Sequence, residues 1–231
     1  MRLQAVVPGS IWHVQQPVKI GPLHVATRST FVKLKDESVW VHSPVAPSVQ
    51  LLAELAEIGP VRHVVAPNRS HHLFFAQFIA AYPGAKGYLA PDLIEKRPDL
   101  VGHEKLHETN AQAWSPELAG YFVDGIPTLN ETVWFHQETG ALLLTDLLFC
   151  FGNHNQALLR FLAGLLGVRE RLGMSRTMKM LVKDKAALAA VARKLLALDV
   201  RRVVLAHDQI VEDDAQAWLE AAFAWLLKNG R

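Results

Sequence analysis

Short apolar runs alternate along this chain with longer segments in which apolar residues recur at helical spacing. The runs RHVVAP, KGYLAP and RRVVLAH are typical of buried strands. FVKLKDESVWVHSP and TVWFHQETGALLLTD each place two β-rich runs around a polar turn, and this predicts two hairpins. The pattern therefore predicts a mixed α/β chain with hairpins early and in the middle.

Amphipathic helices are predicted between these strands. Ser48 and Asp184 are the predicted N-caps of two of them. A third helix is predicted to begin at His71, and a fourth to end near Gly230. Between residues 151 and 183, NQALLRFLAGLLG predicts a helix. The following VRERLGMSRTMKMLVKD is helical or irregular and could cover a site or form an interface.

No internal repeat, low-complexity tract or linker divides the sequence, so we expect a single domain over residues 1–231. The net charge is +2 with neutral histidines and the basic residues are scattered, which indicates no nucleic-acid or membrane partner. The single cysteine, Cys150, excludes an internal disulfide. The N-terminus lacks a signal-peptide pattern, and no apolar window of about 18 residues occurs. We therefore expect a cytoplasmic protein with a small-molecule substrate or ligand.

Residues with metal-binding side chains follow several of the predicted strands. His71 and His72 come after RHVVAP, Asp146 ends ALLLTD, and His207 ends RRVVLAH. Strand ends on one edge of a sheet converge on a crevice, so we expect these side chains to lie close together. Histidine and aspartate suit zinc, iron or manganese, and such an ion lowers the pKa of its bound water. The sequence predicts a site for one divalent ion, with zinc first and iron or manganese as alternatives.

The order strand–histidine–helix, strand–Asp146, strand–His207 resembles the metallo-β-lactamase superfamily over about residues 25–228. Within that superfamily, the segments VWVHSP, PNRSHHLF, NETVWFH, LLLTDLLF and VVLAHDQI resemble the branch known as DUF4336. The resemblance implies an α/β fold of the four-layer αββα sandwich type.

The superfamily motif HxHxDH falls on residues 67–72, where this chain departs from it. Pro67 and Arg69 replace the two early histidines, His71 stands where the motif has aspartate, and His72 matches the last histidine. The superfamily's next histidine is also missing, because DGIPTLNE offers no histidine there. The resemblance thus implies that the first site of a two-metal centre is lost.

The second site keeps more of its ligands, and the resemblance implies one ion held by His72, Asp146 and His207. His71 or Glu131 would assist. Each residue also has a plainer interpretation. His72 could hydrogen-bond backbone at a helix start, Asp146 could cap a turn, His207 could face solvent, and Glu131 could be an exposed hairpin residue.

Three residues of the connecting loops could support the site. Arg69 could fill the space of the lost ion or bind an anionic substrate. His42 and Ser43 occupy the place of an early loop of the superfamily, which predicts contact with the ligands rather than with the ion.

Two functions of different class follow from these residues. The first is a mononuclear metal-dependent hydrolase in which Asp146 and Arg69 are catalytic. The second is a non-catalytic member whose metal site has decayed and whose crevice binds a small molecule or a protein. A redox activity would require iron, which a His/Asp site permits and nothing in the sequence selects.

Overall fold

The computed structural model describes residues 1–152 and 156–227. Within these ranges the strands form two sheets. Neighbours in the first sheet follow chain order, antiparallel from β1 to β4 and parallel from β4 to β7. Its strands are β1 (Gln4–Val7), β2 (Ile11–Ile20), β3 (Leu23–Lys33), β4 (Val39–His42), β5 (Val61–Ala66), β6 (Lys86–Leu89) and β7 (Glu104–Lys105).

The second sheet has the order β12-β11-β10-β9-β8, and only its β10–β11 pair is parallel among the described residues. Its strands are β8 (Leu118–Phe122), β9 (Thr132–His136), β10 (Ala141–Leu144), β11 (Arg202–Leu205) and β12 (Ile210–Val211). The helices are α1 (Val49–Ile58), α2 (Phe75–Ala80), α3 (Leu93–Lys96), α4 (Glu108–Ala111), α5 (Ala157–Leu166), α6 (Arg176–Met180), α7 (Lys185–Leu196) and α8 (Ala215–Leu227), with a 3-10 turn at Pro98–Leu100.

Alternation of side chains along the central strands produces four layers. On β4, Val39 and Val41 pack with α1 and α2, whereas Trp40 points to the other sheet. On β10, Leu143 faces Trp40, and Leu142 packs with α7 and α8. Successive side chains of a strand point to opposite faces, so each sheet buries one face on helices and one on its partner sheet. The predicted αββα sandwich is confirmed.

The hairpins and apolar strands predicted from the sequence are present, and Ser48 and Asp184 cap α1 and α7 through their side chains. The helix predicted to begin at His71 begins instead at Phe75, so both histidines lie in the turn before it. The predicted helix end near Gly230 lies outside the described residues. No helix of the described chain is long and apolar enough to cross a membrane.

The antiparallel hairpin β2–β3 is the main element that the sequence analysis missed. Its strand β3 belongs to the first sheet but also contacts the loop after β11 in the second. The Arg28 amide donates to the carbonyl of Ala206 at 2.7 Å. This contact brings the carboxyl ends of β4, β5, β10 and β11 to one edge, where the candidate ligands lie.

Candidate metal centre

Three side chains from three different strand ends meet at this edge. His71 follows β5, Asp146 follows β10, and His207 follows β11. The two Nε2 atoms of the histidines are 3.2 Å apart. Asp146 turns one carboxylate oxygen to each ring, with Oδ2 at 3.5 Å from His71 Nε2 and Oδ1 at 3.3 Å from His207 Nε2. We call these three residues the metal cluster.

The spacing of these donor atoms matches what a tetrahedral ion requires. Zinc–nitrogen bonds of about 2.0–2.1 Å place neighbouring ligand atoms of a tetrahedron about 3.3–3.4 Å apart. The two Nε2 atoms, 3.2 Å apart, lie near that value, and each has a different oxygen of Asp146 at 3.3 or 3.5 Å. With one ligand atom taken from each residue, the three atoms lie within 4.8 Å of one another. Two imidazoles and a carboxylate also suit iron and manganese, so the donor set fits a divalent ion without selecting zinc.

The outer nitrogen of each histidine is fixed by a partner. His207 Nδ1 lies 2.9 Å from the carbonyl oxygen of Ala26 on β3, and a carbonyl can only accept. A proton therefore resides on Nδ1, and Nε2 faces Asp146. His71 Nδ1 contacts the hydroxyl of Ser43 at 2.7 Å. Such outer contacts orient histidine ligands of metal ions.

Ser43 reaches His71 through an uncommon backbone conformation. Its φ of 53° is in the left-handed region, which few residues other than glycine adopt. The prediction that the His42–Ser43 segment supports the ligands agrees with this contact for Ser43. The ring of His42 instead stacks on Trp40, with ring centroids 5.7 Å apart, and burial lowers its pKa to about 3.

Opposite charges couple the members of the metal cluster. Burial alone would raise the pKa of Asp146, but His71 and the hydrogen bond from His207 outweigh it and hold that pKa well below its usual range. Burial alone would lower the pKa of His207, but the hydrogen bond and charge of Asp146 raise it. The carboxylate is therefore ionised near neutral pH and attracts positive charge to this point.

Asn68 ties the two loops of the metal cluster together. Its side-chain oxygen accepts the backbone amides of Ser70 and His71, both at 2.7 Å. Its side-chain amide donates to Thr145 Oγ1 at 2.8 Å and to Asp146 Oδ2 at 2.7 Å. One buried asparagine thus fixes the backbone at His71 and the carboxylate of Asp146 together.

Glu131, a predicted ligand, supports the cluster from behind and does not join it. The side chain is 1% exposed. It accepts the backbone amides of Thr145, Asp146 and Leu147 at 2.6, 2.8 and 3.0 Å. Burial and the charge of Asp146 raise the pKa of Glu131 to about 7, whereas the amides favour its ionised form. Glu131 therefore shapes the loop that presents Asp146.

His72, the other predicted ligand that the structure does not bring into the cluster, contacts a cation. Its Nδ1 is 2.9 Å from Arg97 Nη1. Burial, with the charges of Lys96 and Arg97, lowers the pKa of His72 to about 4. A neutral ring that accepts from a guanidinium has no place for a second cation at that nitrogen. We call His72, Lys96 and Arg97 the arginine corner.

Arg69, a predicted catalytic residue, is not brought to the metal cluster. Among the described residues, its hydrogen bonds are backbone ones: its amide donates to Leu129, and its carbonyl accepts Lys96 Nζ at 2.8 Å. The residues that line the adjacent cavity do not include it. Lys19 lines that cavity instead and was not predicted.

Arg28 is the supporting residue that sequence reasoning missed. It is buried on β3, and its guanidinium donates to the carbonyls of Leu205, Asp208 (2.6 Å) and Gln209 (3.2 Å), which surround His207 in sequence. A charged residue inside the strand pattern LHVATRSTFVK was the available signal, because a buried arginine needs several acceptors.

A cavity of about 540 Å³ opens beside the metal cluster. All three cluster residues line it, and Ser43 does so as well. Met178 of α6 and Leu181 just after it form part of its wall, which agrees with the prediction that this segment could cover a site. Its volume is in the range of small-molecule sites.

The sequence profile of a domain of unknown function, DUF4336, matches residues 8–173, more than half of the chain. The chain belongs to the DUF4336 family. The matched range includes His71 and Asp146 and ends before His207. No curated protein matches the sequence.

Solved metallo-β-lactamase structures match this DUF4336 protein along almost its whole length. FIM-1 from Pseudomonas aeruginosa, in a mono-zinc form, has a TM-score of 0.64 at 13% identity and covers 97% of this chain and 96% of its own. A metallo-β-lactamase from Pontibacter korlensis has a TM-score of 0.60 at 14% identity, with 99% of both chains covered. A fragment assigned as diflavin flavoprotein A 5 from Nostoc sp. PCC 7120 has a TM-score of 0.67 at 13% identity, with 98% and 96% covered. These likenesses show the metallo-β-lactamase fold and no particular activity.

Proposed function

We propose that this DUF4336 protein is a mononuclear metal-dependent hydrolase whose ion is held by His71, Asp146 and His207. The carrying observation is the geometry of the metal cluster: two imidazole nitrogens 3.2 Å apart, whose rings are fixed at their outer nitrogens, and a carboxylate that turns one oxygen to each of them. Three protein ligands with an open position are typical of catalytic zinc sites. Zinc is the first choice, and the mono-zinc form of FIM-1 supports it.

The bound ion would supply a Lewis acid and an activated water. The chain's own groups hold the ligating side chains in place around it. Ser43 and the carbonyl of Ala26 orient the two imidazoles, and Asn68 fixes the Asp146 carboxylate. Within the described part of the chain, Asp146 is the only carboxylate that lines the cavity. We therefore assign it two roles, as a ligand and as the group that accepts a proton during hydrolysis.

The test is hydrolysis of a panel of esters, thioesters, lactones and phosphodiesters. Chelator-treated protein is reloaded with zinc, manganese or iron(II) before assay. We expect turnover only with added ion, and its loss in Asp146→Asn. The exposed Asp213→Asn variant is the matched control and should keep full activity. No turnover with any ion and any substrate class would contradict the hydrolase.

The second candidate is a non-catalytic binding module. One observation favours it: the donor atoms of the cluster already contact one another, so the arrangement is held together without an ion. Under this alternative the cavity binds a small molecule, and the wild type shows no turnover. Asp146→Asn then changes only the affinity for that molecule.

A further inference from the structure

The wall of the cavity beside the metal cluster is largely apolar. Three separate parts of the chain contribute most of its apolar side chains: the β2–β3 hairpin, the turn after His71, and α6 with the residue that follows it. The apolar side chains from these parts are Val18, Val25, Leu73, Phe74, Met178 and Leu181. Pro44 and Leu129 add two more. Three elements that are distant in sequence therefore present hydrocarbon to one space.

Two leucines at this wall remain open to solvent. Leu73 is 59% exposed and Leu181 is 39% exposed. Exposed leucines are common one at a time, but here both border the same cavity. Covering them with a ligand would remove apolar surface from water, which favours binding of a hydrocarbon group.

The charges at the cavity narrow the class of ligand further. Of the described residues that line it, only Lys19 is a permanent cation and only Asp146 is a carboxylate. Phosphate-rich ligands are recognised by clusters of arginine and lysine, and the lining that the structure describes contains no such cluster. The polar side chains of the metal cluster suit one reactive polar group, and the remaining wall suits an apolar arm.

We propose that the substrate is an acyl compound with a medium-length aliphatic arm, whose arm contacts Leu73 and Leu181 while its carbonyl faces the metal cluster. The carbonyl part rests on the proposed hydrolase function, whereas the apolar arm rests on the cavity wall alone. A volume of about 540 Å³ accommodates such a small molecule.

Binding of the neutral fluorescent probe N-phenyl-1-naphthylamine tests the apolar arm without any chemistry at the ion. The wild-type protein should bind it equally with and without chelator. Methyl octanoate should displace the probe at lower concentration than methyl butanoate, by up to about fourfold per methylene group. The double variant Leu73→Gln/Leu181→Gln should bind the probe on the order of tenfold more weakly. Both side chains are partly exposed, so the variant should fold.

Matched controls separate this inference from the proposed function. Met180→Gln changes an 81% exposed residue that does not line the cavity, and it should bind the probe as the wild type does. His207→Ala should lose the ion and keep the probe. Probe binding that the double leucine variant leaves unchanged, or equal displacement by both esters, would overturn the inference. Metal-dependent turnover indifferent to chain length would overturn the inference while leaving the hydrolase intact. Leucine-dependent probe binding by a protein that takes up no ion and turns over no substrate would overturn the hydrolase while leaving the apolar arm intact.

Discussion

The metal cluster and the arginine corner each contain one of two histidines that are neighbours in sequence. In the cluster, His71 has Asp146 on one side and the Ser43 hydroxyl on the other. In the corner, His72 receives a hydrogen bond from Arg97, and Lys96 adds a second positive charge nearby. The first environment attracts a cation, whereas the second already contains two.

The comparison shows that the neighbours of a histidine, rather than its place in a motif, determine whether its ring faces a carboxylate or a cation. His72 matches the last histidine of the superfamily motif, yet its ring contacts a guanidinium. His71 stands where the motif has aspartate, and its ring reaches the shared point with Asp146 and His207. A change from carboxylate to imidazole at position 71 keeps a donor there and makes the donor set less negative.

The largest expected effect on stability is at Glu131, which supports the metal cluster. In the wild type, both carboxylate oxygens of Glu131 accept backbone N–H groups. Glu131→Gln therefore places an amide NH₂ group against at least one backbone N–H donor. We expect the free energy of unfolding to fall by about 3 kcal/mol, as for a buried network that loses its acceptors. Urea denaturation measures it.

The matched change in the corner is Arg97→Ala, which removes a partly exposed guanidinium from His72 and Asp99. We expect it to cost below about 1 kcal/mol. Equal losses in the two variants would break the distinction between a rigid cluster and a peripheral corner.

The next effect concerns how firmly His71 is oriented. Ser43→Ala leaves His71 Nδ1 without its hydroxyl partner, so affinity for zinc should fall by about 10- to 100-fold. Competition with a chromophoric chelator measures the affinity. Ser70→Ala, on a nearby residue that also lines the cavity, is the control and should leave affinity unchanged. Unchanged affinity in Ser43→Ala would mean that His71 is not an oriented ligand.

The smallest effect is a pH dependence of opposite sign for the two regions. The pKa of His72 falls from 6.5 to about 4 on folding, so its contribution to stability is present above pH 6.5 and is lost as the pH falls toward 4. The pKa of His207 rises, so in ion-free protein its contribution is present below pH 6.5 and is lost as the pH rises.

Unfolding free energies of chelator-treated His72→Gln measured from pH 7 to 5 test this. We expect the variant to lose about 1 kcal/mol less than the wild type over that window. His13 and His42, whose pKa values burial also lowers, keep part of the slope. A slope identical to that of the wild type would show that His72 titrates alike in the folded and unfolded chain.

Most of the fold could be predicted because the core strands are nearly continuous apolar runs between clear turn residues. RHVVAP and RRVVLAH became β5 and β11, and the polar turn before Val39 gave the β3–β4 hairpin. The β2–β3 hairpin was missed because WHVQQPVK, residues 12–19, mixes polar and apolar residues, and neither of its faces is fully buried. Such strands carry a weak pattern.

The site could be predicted only in part. The order of the strands determines which residues lie at the edge of the sheet, whereas tertiary contacts determine the direction in which their side chains point. Asp146 and His207 lie at strand ends, as predicted. Helix α2 begins at Phe75 rather than at the histidines, so both histidines lie in the turn before it. The conformation of that turn decides which of the two rings points to Asp146 and His207. That turn is fixed by Asn68, through contacts to a loop more than 70 residues away. No local pattern contains this information.

The most direct test of the account is metal content by elemental mass spectrometry on protein purified without an affinity tag or chelator. The neighbouring variants His71→Ala and His72→Ala are compared with His207→Ala and the wild type. We predict near one equivalent of zinc, iron or manganese in the wild type and in His72→Ala, and none in His71→Ala or His207→Ala. An ion lost from His72→Ala and retained by His71→Ala, or no ion in the wild type even after it is added back, would contradict the account.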